Sequence, residues 1–207
     1  SANERGLPAN PRAFVLPGNQ DPATPWPSSI VLLSAIAAAT SRIRIIAGAV
    51  IAPLRHPLLL ARELGSLDLL AEGRLVVLPT VSWHRDEYAA LGVPFHQRGE
   101  ILDETLAAWS VLWRGSPASF QGRHFSFSNV WFEPAASRPT GPTLWFGGQS
   151  AHPRMARRLA RYGSGWLPLG PATPADVQNV ATAMKEERRS FDELEIVGGI
   201  TGIFRDA

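Results

Sequence analysis

Short β-branched runs alternate with longer amphipathic stretches along most of this chain. Ser28 and Ser29 can cap a helix running to Ala39, with Ile30, Leu33 and Ala37 at helical spacing. Ile43–Ile51 (IRIIAGAVI) is apolar on both faces, the pattern of a strand buried on both sides. From Pro57 to Ala71 the stripe Leu60, Leu64, Leu67 and Ala71 predicts a helix, and Glu72-Gly73 ends it with a glycine suited to a left-handed cap. Arg74–Leu78 is the next strand, stopping at Pro79. Glu100–Trp113 predicts a helix with Leu102, Leu106, Trp109 and Trp113 on its packing face.

The rhythm is then interrupted. Ser119–Phe132 alternates around Gln121-Gly122, which predicts a β-hairpin inserted at residues 118–133. Arg138–Pro142 is a turn. Thr143–Phe146 is a short strand ending in Gly147-Gly148, Ala151–Tyr162 a helix closed by Gly163, and Gly165–Leu169 another strand. Thr173 with Pro174 signals a helix start, and that helix is expected to reach Phe191. Glu195–Ile203 begins a last strand, while Ser1–Pro27 reads as a Pro- and Gly-rich loop with one apolar piece, Phe14–Leu16. Strand and helix in alternation mean a parallel sheet with helices outside it, in one domain over residues 1–207.

Two architectures share that pattern: a (β/α)8 barrel and an open doubly wound sheet. No G-x-G-x-x-G follows any strand, which weakens the open sheet. A barrel of about 250 residues needs eight strands, more than are legible here. The barrel reading therefore expects an incomplete barrel, in keeping with a chain that begins at Ser1 and stops at Ala207.

Composition narrows the function. The 207 residues are 45% hydrophobic and 18% charged, ordinary for a soluble globular protein. A net charge of +2 gives no basic stripe for nucleic acid. Arg154, Arg157, Arg158 and Arg161 form one side of a helix and read as a solvated or anion-facing surface. There are no cysteines, so disulfides and thiolate metal sites are excluded. No apolar run suits a membrane span and Ser1–Gln20 is too polar for a signal peptide, so a cytoplasmic location is expected. His96, His124 and His152 have no metal-ligand spacing with each other or with carboxylates, and no metal is expected. A G-x-S-x-G motif is absent, which leaves hydrolase chemistry without support.

The chemistry-bearing side chains gather past strand ends. Thr80, Ser82, Trp83, His84, Arg85, Asp86, Glu87 and Tyr88 follow Pro79, and such loops are where parallel α/β proteins build sites. Gly147, Gly148, Gln149 and Ser150 lie between a strand and a helix, where free N–H groups attract phosphate. His56 precedes Pro57 at a helix start and either caps it or lines a pocket.

These residues, in this order, resemble the bacterial-luciferase-like family of flavin- and deazaflavin-dependent oxidoreductases. The resemblance rests on TSRIRIIAGAV (residues 40–50), HPLLLARELGSLDLLAEGRL (56–75), SWHRDEYAALGVPFHQRGEILDE (82–104), FQGRHFSFSNVWFEP (120–134) and PTLWFGGQSAHPRMARRLARYGSGWLP (142–168). It is greatest to the branch using the deazaflavin coenzyme F-420, with FMN the alternative. It implies a (β/α)8 barrel lacking its first strand and helix and its last βα unit, with the hairpin as an insertion. The ring would lie on Ala47, Gly48 and Ala49, where the family has a bulge. Thr80, Ser82, Trp83, Arg85, Tyr88, Gly147, Gly148, Gln149 and Ser150 would contact the cofactor, and His84 would be the catalytic candidate. The stretch LPTVSW lacks the glycine-rich run usual there, so Thr80 and Ser82 hydroxyls would replace backbone donors. The resemblance further implies hydride transfer to or from a small organic substrate, with an FMN-dependent monooxygenase or a non-catalytic barrel fragment as alternatives. A homodimer with neither nucleic-acid nor membrane partners is expected.

Overall fold

Four strands of the main sheet, β1, β2, β5 and β6, carry one set of side chains into a single apolar cluster, and helices α1, α2, α4, α5 and α6 pack on that side. The computed structural model describes residues 27–198. Helix α1 (Ser29–Ala39) leads to strand β1 (Ile45–Ile51), a short 3-10 turn and helix α2 (Pro57–Leu70). Strand β2 (Leu75–Thr80), helix α3 (Arg85–Ala90) and helix α4 (Arg98–Leu112) follow. The hairpin β3 (Ala118–Gln121) and β4 (Ser126–Val130) precedes β5 (Thr143–Gly148), α5 (Pro153–Tyr162), β6 (Gly165–Pro168), α6 (Pro174–Glu186) and β7 (Glu195–Ile196). The main sheet has the order β1-β2-β5-β6-β7, and each pairing is parallel.

Ile45, Ala47 and Val50 of β1, Leu75 and Val77 of β2, Leu144 and Phe146 of β5 and Trp166 of β6 belong to one core with residues of α1, α2, α4, α5 and α6. Helices on one face only, with strands added in sequence order, describe the wall of a (β/α)8 barrel and rule out a doubly wound sheet. Among the described residues the barrel is not closed. The wall is nevertheless strongly curled. Arg44, at the start of β1, pairs with Glu195 of β7 at 2.6 Å, although these are the two outermost strands. Five strands laid flat would set them about 19 Å apart. The Arg44 guanidinium also lies 4.8 Å from the Trp145 ring centre, and a side chain at Gly165 would strike that same indole. Arg44, Trp145 and Glu195 thus share the inner face.

The inner face explains where β1 departs from expectation. Ile46 is 46% exposed, and Gly48 and Ala49 are exposed as well, because no element covers that side among the described residues. The strand is buried on its helix side alone. Nor does β2 stop at Pro79. It continues to Thr80, since Pro79 faces Val50 where the β1 register already shifts, and a missing N–H is least costly at a bulge.

Other elements are close to their predicted bounds. Gly73 has φ +75° as its capping role requires, and Glu72 joins it at +50°. Trp109 and Trp113 are buried and donate to the Pro57 and Ala61 carbonyls of α2, so both are packing residues. Thr173 and Asp176 form a capping box on α6. That helix ends at Glu186 rather than Phe191; Arg188 turns left-handed at φ +56° and Phe191 begins a separate 3-10 turn. Ser28 precedes α1 without a side-chain capping bond. The arginine face of α5 divides, because Arg158 is buried and bonds Asp103 at 2.6 Å while Arg154, Arg157 and Arg161 stay exposed. The apolar piece at residues 14–16 and the end of the last strand lie outside the described residues.

Glu104 moors the inserted hairpin to α4 through three backbone bonds, with Glu100 pairing Arg123 beside it. Glu104 of α4 accepts the backbone N–H groups of Arg123, His124 and Phe125 at 2.6, 2.9 and 3.1 Å. Burial alone would raise its pKa, but the three bonds together outweigh burial and hold it below the usual carboxylate range. Its contribution is therefore full above the unfolded value of about 4.3 and is lost as pH falls through the lower folded value. Glu104→Ala is expected to weaken hairpin docking by about 1 kcal/mol, the carboxylate being partly screened by solvent. The checks are a lowered Tm at pH 7, a smaller gap from the parent protein at pH 3, and faster proteolytic cutting within residues 119–130.

Candidate functional site

Parallel strands end on one rim, and here that rim collects the residues singled out from the sequence. Gly48 pairs with Leu78, and Ile51 with Thr80; Gly147 pairs with Leu167, and Gly148 with Pro168. The ends of β1, β2, β5 and β6 therefore lie side by side.

On β1 the register slips between Gly48 and Val50, and the Gly48–Ala49 peptide is cis. The slip is a bulge at the place where the resemblance implied one. Ala47 points into the core, while Gly48 and Ala49 present small groups to the open face. A methyl added at Gly48 would have nothing nearer than Ile46 Cγ2 at 3.4 Å and Leu78 beyond it. The result is a flat, shallow apolar surface, the shape that suits a planar ring.

The loop after β2 turns sharply. Ser82 holds φ +54°, an unusual region for a residue with a Cβ, and such positions gather at functional sites. Thr80 Oγ1 accepts the Ser82 N–H at 3.5 Å, and Ser82 Oγ accepts the His84 N–H at 3.4 Å. Each hydroxyl keeps its own proton to donate. Trp83 is 42% exposed, with its ring 5.2 Å from the His84 ring. Within the described residues His84 Nδ1 is buried and lacks a hydrogen-bond partner.

Arg85 and Tyr88 both meet the Phe95 ring. The Arg85 guanidinium lies 4.8 Å from the centre of the Phe95 ring, which Tyr88 meets edge-on at 5.3 Å. Tyr88 is fully buried and donates to the Val81 carbonyl at 2.5 Å; burial pushes its pKa up to about 12. Its hydroxyl supports the loop from beneath instead of reaching a ligand.

At the end of β5, a side chain on Gly147 would collide with the Leu167 carbonyl, so glycine is needed for β6 to pass. The Gly148 carbonyl accepts the Leu169 N–H at 3.0 Å. Two of the amides past Gln149 and Ser150, those of Ala151 and Met155, are engaged within the chain. The Ala151 N–H donates to Asp176 Oδ1 at 2.6 Å, and Asn179 Nδ2 donates to the Ala151 carbonyl at 3.0 Å. The α5 cap is His152, whose Nδ1 accepts the Met155 N–H at 3.4 Å. Sequence reading missed all three roles. The Thr-x-x-Asp spacing of the capping box pointed to Asp176 on α6, but only the fold sets its second oxygen on Ala151. His56 caps α2 by accepting the Leu58 N–H at 3.3 Å. Among the described residues, no group of His, Cys, Asp or Glu is arranged to hold a metal, and no helix is long and apolar enough to cross a membrane.

A one-sided helical layer, a bulge of small residues at a rim and the polar loop beside it agree with the family model for luciferase-like monooxygenases, which matches residues 13–207. The chain belongs to that family. The uncharacterized protein Rv0953c of Mycobacterium tuberculosis is 36% identical over 154 residues, 74% of this chain and 51% of its own length. The FMNH(2)-dependent dimethylsulfone monooxygenase of Pseudomonas putida is 28% identical over 141 residues, 67% of this chain and 38% of its own. Among solved structures, the coenzyme F420 dependent tetrahydromethanopterin reductase from Methanopyrus kandleri superposes with a TM-score of 0.68 at 19% identity, covering 81% of this chain and 52% of its own, a likeness of fold. The chain spans about half the length of the mycobacterial relative. Proteins that the chain is similar to thus include ones named for F420 and for FMNH(2).

Proposed function

We propose that the chain is the wall of an oxidoreductase that transfers hydride between the deazaflavin coenzyme F-420 and a small organic substrate. The observation that carries this reading is the bulge at Gly48–Val50, with its small-residue face turned to the uncovered side of the sheet at the rim. The residues present fit a tricyclic ring: Gly48 and Ala49 offer a flat apolar bed, Thr80 and Ser82 offer hydroxyl donors, and Trp83 offers an exposed aromatic wall. When bound, the coenzyme would supply the hydride chemistry. The chain's own work is positional. The bed fixes one face of the ring, the hydroxyls orient its polar edge, and Trp83 keeps water from the reacting side. His84 is the group placed to hold a proton, at its buried, unpartnered Nδ1.

A second reading, an FMN-dependent monooxygenase using molecular oxygen, draws support from the Pseudomonas putida relative. Titration of the full chain with coenzyme F-420 and with FMN, followed by absorbance and fluorescence, separates the two. The expected result is a saturable spectral shift with the deazaflavin at lower concentration than with FMN. Saturation by FMN alone would sink the first reading in favour of the second.

A further inference from the structure

We infer that Tyr88 is a positioning residue of the ring site: from the core side its hydroxyl holds the Val81–Ser82 peptide, and through it the left-handed Ser82 and the His84 side chain. This deepens the reading above and rests on Thr80, Ser82 and His84 facing the ring.

The Val81–Ser82 peptide is one rigid plane, and it is bound at both ends. Its carbonyl accepts the Tyr88 hydroxyl at 2.5 Å, and its N–H donates to Thr80 Oγ1 at 3.5 Å. The φ rotation of Ser82 is the first one beyond that plane. At +54° it lies where a residue with a Cβ is unfavourable, so the turn depends on bonds from outside it. Ser82 Oγ then accepts the His84 N–H at 3.4 Å, which carries the orientation one step further.

The Tyr88 bond is the shorter of the two on this peptide, and it comes from a residue that is itself fixed. Tyr88 is fully buried, its carbonyl accepts the Val93 N–H at 2.9 Å, and its ring meets Phe95 edge-on at 5.3 Å. The Phe95 ring is covered in turn by the Arg98 guanidinium at 3.8 Å. Burial, against the lowering influence of Arg98, pushes the phenol pKa up to about 12, so the hydroxyl keeps its proton to donate at neutral pH. A residue that only filled the core would need the ring and not the oxygen. Here the oxygen sits on the one peptide that leads into the left-handed residue of the site.

Tyr88→Phe separates the two roles, because it keeps the ring against Phe95 and removes the oxygen alone. The first measurement is amide hydrogen exchange of the full chain, read residue by residue by NMR. In Tyr88→Phe the Ser82 and His84 amides are expected to exchange about tenfold faster, the Val81 carbonyl having lost its donor, while Leu106 within α4 keeps its rate. The second is titration of both proteins with coenzyme F-420, followed by fluorescence, with an expected Kd about tenfold higher for the variant. Equal acceleration at Ser82, His84 and Leu106 overturns the inference, since the hydroxyl would then stabilise the whole fold and not the loop. Unchanged exchange at Ser82 and His84 overturns it as well. So does local acceleration with an unchanged Kd, since the loop would then not be held for the ring. If Tyr88→Phe does not fold, the parent protein still decides: Ser82 and His84 amides that exchange as fast as an unstructured peptide overturn the inference, and protection of both supports it. Each of these failures defeats this inference alone. Failure of the parent protein to bind coenzyme F-420 defeats the proposed function and the site role of Tyr88 with it.

Discussion

Gly147→Ala is expected to unseat the rim between β5 and β6. The new methyl carbon would stand 2.0 Å from the Leu167 carbonyl oxygen and 3.0 Å from its carbon, and both are backbone atoms of the paired strand. No rotamer change relieves such a contact, so the strands must part where the ladder is tightest. Forced overpacking of this kind costs about 3 kcal/mol. The parting also displaces Gly148, whose carbonyl holds Leu169, and the loop that Asp176 and Asn179 tie to α6. Loss of flavin and deazaflavin binding should accompany a Tm lower by several degrees. Gly148→Ala is the control, because its nearest neighbour for a new methyl is the Ser150 carbonyl at 3.7 Å. It should keep its Tm. If Gly147→Ala melts like the parent protein, the close passage of β6 over Gly147 is not as described.

The pair of glycines shows what sequence could and could not disclose. A doubled glycine between a strand and a helix is visible at once, and its place at the rim follows from strand order. Why Gly147 is there depends on Leu167, twenty residues onward and on another strand, which no local pattern reveals. The same division runs through the fold. Core stripes on α2 and α4 were legible because burial repeats with helical period, and Leu60, Leu64, Leu102 and Leu106 are all buried. The β1 faces were not, since an apolar run has the same composition whether its inner side is covered or open. Ile46 is as β-branched as Ile45 and lies on the uncovered side. Arg158 illustrates a third limit. Its spacing put it on a solvated or anion-facing side, but the anion is Asp103 on α4, and only the packing of α5 against α4 brings the two within 2.6 Å. The Thr80–Tyr88 cluster past the strand end was visible in residue types and order, whereas the left-handed Ser82 and the burial of Tyr88 beneath the loop were not.

Gly48→Leu is expected to weaken ring binding about a hundredfold while leaving the fold in place, and the two halves of that expectation have separate causes. Gly48 lies on the uncovered inner face, and its backbone does not occupy the left-handed region, so a side chain there is tolerated. A first methyl meets Ile46 and Leu78 side chains at 3.4 to 4.0 Å, which is ordinary contact. Gly48→Ala should therefore bind coenzyme within a few-fold of the parent protein. The remaining atoms of leucine have no room toward the core, where Ala47 and Val50 already pack, and must extend across the bulge. They would occupy the bed that Gly48 and Ala49 keep flat, holding a tricyclic ring away from Thr80, Ser82 and Trp83. Losing that stacking surface together with the hydroxyl contacts should raise the Kd by about a hundredfold, near 2.7 kcal/mol. A Tm within a few degrees of the parent protein, measured on the same preparation, would show that the fold survives. Undiminished binding by a folded Gly48→Leu would place the ring elsewhere than on the bulge. The inner face of β1 would then be only a surface for neighbouring strands, and the hydride-transfer reading would lose the observation that carries it.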